Sequence, residues 1–127
     1  MGLSYSIESG LVTVLAEGSF GVDTVRSTFS EIRAEIEPSA RVRILILDRG
    51  SEFDPTQEEL RRLVHIWSEL FRGLSIRIAL LVEKELHYGL GRIASVYAEG
   101  QDLPFRVFRR RSVALEWLAP EEPEPAA

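Results

Sequence analysis

VRILILDRGSEFDPT, residues 42–56, decides how this 127-residue chain is read. From Val42 to Leu47 every residue except Arg43 is apolar. A run of branched apolar side chains on both faces is the pattern of a strand covered on both sides, as inner strands of a parallel sheet are. Asp48 ends the run and Arg49-Gly50-Ser51 turns the chain. Asp54-Pro55-Thr56 then opens a helix: Asp54 can cap, Pro55 fits the first turn, and Gln57 sits three residues after the cap. Side chains just past the carboxyl end of a central strand stand where α/β domains place ligands and regulatory chemistry.

Downstream, this second helix reaches Arg72, with Leu60, Leu63, Val64, Trp67 and Phe71 at helical spacing and Gly73 closing it. Ile76 to Val82 is another doubly apolar strand. A third helix lies between Leu86 and Glu99, with Leu90, Ile93, Ala94 and Tyr97 inward; Gly89 and Gly91 within it permit close packing. Phe105 to Phe108 is a last short strand, and Ser112 to Leu118 a short helix capped by Ser112 and clamped by Ala114, Trp117 and Leu118. Upstream, Tyr5 to Glu8 and Leu11 to Glu17 are strands turned at Ser9-Gly10. A helix from Val22 to Glu37 carries Val22, Val25, Phe29, Ile32 and Ile36 as its stripe, and Pro38 stops it. The order β-β-α-β-α-β-α-β-α defines an α/β fold. It implies a mixed, mostly parallel five-stranded sheet with about four helices, the first strand antiparallel at or near an edge. Residues 1–119 form one domain; PEEPEPAA, residues 120–127, is acidic, Pro-rich and expected to be disordered.

Composition narrows the function. The chain has no Cys, which excludes thiolate chemistry, a disulfide framework and a cysteine metal site. Its net charge is −5, and all but one of its 15 basic residues are Arg, with Lys84 the exception. Acids outnumber bases in residues 1–40 and in the tail, so no uniformly basic face is offered to nucleic acid. No apolar run approaches the ~20 residues of a transmembrane segment and no secretory leader is visible, so a cytoplasmic location is expected.

Three stretches placed on that element order carry a family resemblance. They are ILILDRGSEFD at 44–54, RIALLVEKELHYGLGRIASVYA at 77–98 and RVFRRRSVALEWL at 106–118. Together they resemble the STAS-like fold of anti-sigma factor antagonists and sulfate-transporter cytoplasmic domains, in its stand-alone bacterial, SpoIIAA-like form, often described alongside CRAL-TRIO-type lipid-binding domains. The resemblance implies a non-enzymatic regulatory or protein-interaction module, with a small-molecule or lipid-binding carrier as the alternative. Anti-sigma factor antagonists present a phosphorylatable Ser after an Asp at the start of this helix. Here Asp54 matches the acid, Pro55 stands in the place of the Ser, and Thr56 is the nearest hydroxyl. Asp54, Glu58 and Glu59 would repel a phosphate on Thr56, so capping is the first role of Asp54 and Thr56.

On this reading Asp48, Ser51, Asp54 and Thr56 carry a partner-binding surface. Candidates for ligand or anion contacts are His87, Tyr88, Arg92 and Arg106; the last belongs to the densest basic cluster, with Arg109, Arg110 and Arg111. The more ordinary roles are a loop His at a helix start and charge that blocks pairing at a sheet edge. His65 falls on the polar side of its helix, and Asp48, Glu52 and Asp54 read as a solvated turn before a cation site. No catalytic set converges: Asp48 and His87 read as distant from each other, and Gly89-x-Gly91 lacks the third Gly of a dinucleotide fingerprint. No cofactor or metal is implied. Ile66 and Leu70 widen the second helix's apolar face, and Leu45 and Leu47 point opposite to Val42, Ile44 and Ile46. Such surplus apolar surface must be covered by the third helix, by another subunit as in a homodimer, or by a ligand such as a small amphiphile.

Overall fold

Doubly apolar strands belong in the middle of a sheet, and that is where they lie in the computed structural model, which describes residues 2–37 and 41–119. β3 (Arg41–Asp48) and β4 (Ser75–Val82) pair in parallel, from Arg41 opposite Ser75 to Asp48 opposite Val82. β2 (Leu11–Glu17) runs parallel on the other side of β3, and β5 (Phe105–Phe108) parallel on the other side of β4. β1 (Gly2–Glu8) closes the far edge antiparallel to β2, giving the five-strand order β1-β2-β3-β4-β5. The hairpin turns through Ser9 at φ 50° and Gly10 at φ 81°, the pair of left-handed residues that a two-residue turn requires. β1 starts three residues before the expected Tyr5, because Gly2 still pairs with Glu17.

Four helices complete the fold: α1 (Val22–Glu35), α2 (Gln57–Leu70), α3 (Glu85–Glu99) and α4 (Arg111–Leu118). The first three share one face of the sheet. Val12, Val14, Val42, Ile44, Ile46 and Ile78 meet Phe29, Ile32, Leu63, Val64 and Trp67 there in one continuous core. Phe29 and Phe105 pack against Trp67, each with its ring centroid 5.5 Å away, the first edge-on and the second stacked. Tyr5 Oη donates to Glu35 Oε2, tying β1 to the end of α1; that bond pushes the phenol's pKa up to about 12. The opposite face holds a smaller core of Leu45, Leu47 and Ala79 under Ala114 and Leu118 of α4. A two-turn helix is marginal alone. This one is held by Arg77, whose Nη1 donates to Trp117 O at 2.6 Å, and by the Arg77 and Arg106 guanidiniums over the Trp117 ring.

Several local expectations need correction. Ser112 lies inside α4 and does not cap it; Arg110 takes the cap position without a side-chain bond. The surplus apolar surface is largely covered within the chain: Ile66 is buried, Leu70 packs on the main core, and α4 covers Leu45 and Leu47. Coverage comes from the chain's own helices, so those residues call for no second copy. Gly89 meets nothing that a side chain would touch, whereas a Cβ on Gly91 would sit 2.6 Å from Val107 Cγ2. The proposed stop at Pro38 and the 120–127 tail fall outside the described residues. Among the described residues no helix is long and apolar enough to cross a membrane.

The two glycines of α3 should respond in opposite directions. Gly89→Ala gains helix propensity without a clash and should stabilise by about 0.5–1 kcal/mol. Gly91→Ala gains the same but overpacks a β5 side chain, so urea denaturation should show a net loss of up to about 2 kcal/mol.

Candidate functional site

The carboxyl end of β3 is where the sequence pointed, but the side chains are arranged differently from the expectation. Asp48 is only 9% exposed and Ser51 is 0% exposed. Asp48 Oδ1 accepts from Ser51 N at 2.9 Å, Ser51 Oγ accepts from Phe53 N at 3.4 Å, and Lys84 Nζ donates to Ser51 O at 3.3 Å. These two residues therefore organise the loop from inside. Of the four residues expected to form a partner surface, Asp54 and Thr56 are exposed and Asp48 and Ser51 are not.

Thr56 is the helix cap. Its Oγ1 accepts from Glu59 N at 3.1 Å and Glu59 Oε1 accepts from Thr56 N at 2.9 Å, a reciprocal capping box. That moves the helix start two residues past the expected one and leaves Asp54 without a capping role. The decisive residue is Glu59: with Thr56 as cap, its side chain reaches back to the Thr56 N–H, and that reciprocal pair prevails over Asp54 with Gln57.

His87 is not a loop residue. It sits in the first turn of α3, is 5% exposed, and its Nδ1 lies 2.8 Å from Asp48 Oδ2. The expectation that Asp48 and His87 are far apart is thus overturned. Asp48 stands opposite Val82, and the chain needs only the short turn after β4 before α3 folds back over the end of β3. The contact is short, yet it falls outside good hydrogen-bond geometry, and Nδ1 has no other partner among the described residues.

Both side chains line an apolar cavity of ≈ 80 Å³ between the sheet and α1, α2 and α3. Its walls include Phe29, Leu63, Trp67, Leu90, Ala94 and Phe105. Phe20 and Phe53, half-exposed and stacked with centroids 4.8 Å apart, line it from the loops after β2 and β3. Those loops are tied by Glu52 N donating to Gly18 O at 2.8 Å and Ser19 Oγ to Glu52 Oε1 at 2.6 Å. One further polar atom belongs to this cavity's lining residues. Trp67 is 6% exposed, and its Nε1–H has no hydrogen-bond partner among the described residues.

The other ligand candidates do not join His87. Tyr88 is half-buried beneath the Arg109 guanidinium, 3.7 Å above its ring. Arg109 is held by Glu85 through Nε at 3.0 Å and Nη2 at 2.8 Å; that hydrogen bond raises its pKa above the ordinary guanidinium value. Arg92 is exposed on α3. Arg106 lies across the sheet, over Trp117. Among the described residues no group of three or more His, Cys, Asp or Glu side chains is placed to hold a metal ion.

The cavity leaves a signal in the sequence. His87, Gly91, Ala94 and Ala98 are the buried positions of α3, one stripe of small residues with a single polar member. Trp67 was read as core, which it is; that its N–H goes unmatched is a matter of three-dimensional geometry.

Neither a protein-family model nor a curated protein sequence matches the chain. In three dimensions it is similar to an uncharacterised protein of the DUF3478 family, with a SpoIIAA-like fold, from Shewanella loihica PV-4. The TM-score is 0.64 at 17% identity, over 93% of this chain and 94% of that one. A likeness at that identity establishes architecture. The chain has a SpoIIAA-like, STAS-type fold, as the resemblance in its sequence implied.

The cap assignment has a direct check. Thr56→Ala should destabilise by about 0.5–2 kcal/mol in denaturant titration, whereas Asp54→Ala should stay within about 0.5 kcal/mol of the parent.

Proposed function

We propose that this chain is a non-enzymatic regulatory module of the cytoplasm that acts by binding a protein partner. The observation that carries the reading is the outer side of α3. Leu86 is 58% exposed and Val96 66% exposed, with half-buried Ile93 between them. Ten residues of helix separate the two by about 15 Å. Apolar side chains held out along a helix are a feature of docking surfaces. The stripe begins beside the loop after β3, where Gly50 lies close to Lys84 and Lys84 bonds Ser51 O. Exposed Asp54 and Thr56 extend that surface, with Asp54 adding a charge that steers a basic partner.

The STAS-type fold is compatible with such a role. The non-enzymatic part of the proposal is supported by the lining of the Asp48–His87 cavity. Beyond that pair, its described side chains are carbon apart from one indole, so no third group that could serve as nucleophile, acid or base stands beside them.

Partner capture from lysate of the source cell, with photo-cross-linkers at positions 86 and 96 and a control at exposed Arg62, tests the surface. Leu86→Glu/Val96→Glu should abolish the cross-linked species and Asp54→Arg should weaken it, with circular dichroism unchanged. Recovery of the same proteins in the same yield by wild type and both variants would end this reading.

A further inference from the structure

We infer that the cavity between the sheet and α1–α3 is a binding site for a small, neutral, hydroxyl-bearing molecule with an apolar body. This is independent of the protein-docking proposal, since the cavity lies on the inner side of α3 and the docking stripe on its outer side.

Three observations converge on the cavity. It measures ≈ 80 Å³; with a water molecule taking about 30 Å³ in the liquid, that is room for roughly three to five non-hydrogen atoms. Its walls are almost wholly apolar. Yet one of its lining residues, Trp67, more than nine-tenths buried, carries a donor without a hydrogen-bond partner among the described residues, the indole Nε1–H. The indole N–H is a donor only and requires an acceptor. His87 turns Nδ1 toward Asp48, so Nε2 remains for another partner. Leaving such a donor unmatched in an apolar interior is costly, and a bound molecule that matches it recovers that cost.

The same groups select the ligand's chemistry. A carboxylate or phosphate would be driven into the neighbourhood of the Asp48 carboxylate, with no arginine lining the cavity to offset it. An ammonium group is attracted to Asp48 but offers the indole N–H nothing to donate to. A hydroxyl both accepts and donates, so it can accept from the indole N–H and also meet His87 Nε2. The apolar remainder of the molecule packs against Phe29, Leu63 and Phe105. Arg92 and Arg106, expected to hold an anionic head group, have no part in this site.

The chain's two tryptophans make the test direct, because only Trp67 lines the cavity. Purified ¹⁵N-labelled protein is titrated with 1-butanol while the two indole N–H resonances are followed; butyrate and butylammonium at equal concentration are the comparison ligands. The expected result is a saturable downfield shift of the Trp67 resonance with butanol, an unmoved Trp117, and little response to either ion. Trp67→Phe keeps the ring and removes the donor, and His87→Gln alters the second contact. Followed through backbone amides of α3, either variant should bind butanol about tenfold more weakly, the effect of losing one neutral hydrogen bond. If one variant fails to fold, the other carries the comparison. The inference is overturned by a linear, unsaturable shift shared by both tryptophans. It is equally overturned by a butyrate response equal to that of butanol, or by undiminished butanol binding in the folded variants.

Discussion

The parallel pairing of β3 with β4, in one register along the whole of both strands, is the constraint on which the rest of this structure depends. Both strands are apolar on both faces, so each must be covered by helices from above and below. A slip of one residue would turn Ile44 and Ile46 toward the small core and Leu45 toward the large one. A slip of two would keep the faces but move the strand ends by about 7 Å. That is enough to carry His87 out of reach of Asp48, because the start of α3 is placed by the end of β4. The buried acid–imidazole contact is therefore a product of strand register.

The two faces of the sheet are covered unequally. Three crossover helices build the larger core, and α2 lies between α1 and α3 with Trp67 near its centre. The other face has only α4, two turns long, and its cohesion depends on arginine. The Arg77 and Arg106 guanidiniums lie over the Trp117 ring, while Arg77 also bonds the last turn of α4. A guanidinium can lie flat on an indole and still direct its N–H groups sideways to a carbonyl, which an ammonium cannot do. The basic cluster near the C-terminus thus divides into residues with separate structural tasks. Arg106 supports Trp117 and Arg109 pairs with Glu85 over Tyr88, so the cluster is less a single anion site than its sequence density implied.

Much of the architecture was legible because it follows from periodicity. The β3 and β4 runs, the Ser9-Gly10 hairpin and the apolar stripe of α2 each state their structure within a few residues. Helix starts were harder. Asp54-Pro55 and Thr56 both offer cap chemistry, and only the reach of Glu59 back to Thr56 N decides between them. Ser112 looked like a cap because Ser prefers that position, but packing of Ala114 and Leu118 onto β3 and β4 set the start of α4 earlier. The Asp48–His87 contact could not be found by spacing at all. It depends on where a crossover returns, and a single residue of register controls that.

The main core also departs from what packing alone would produce. A phenylalanine at 67 would keep the stacking on Phe105 without a buried donor. The Trp67 indole N–H, left without a partner among the described residues, costs about 1–3 kcal/mol, a large share of the 5–15 kcal/mol by which a domain is ordinarily stable. Elsewhere the chain is careful with such groups: Ser51, fully buried, uses its backbone N–H, its carbonyl and its hydroxyl in three separate bonds. Local rules obeyed at one end of β3 and broken a few ångströms away, inside a cavity, mark the place where stability is subordinate to another requirement. Ser51 and Thr56, at the loop after β3, are spent on folding. The unmatched indole N–H lies in the cavity that Trp67 shares with Asp48 and His87.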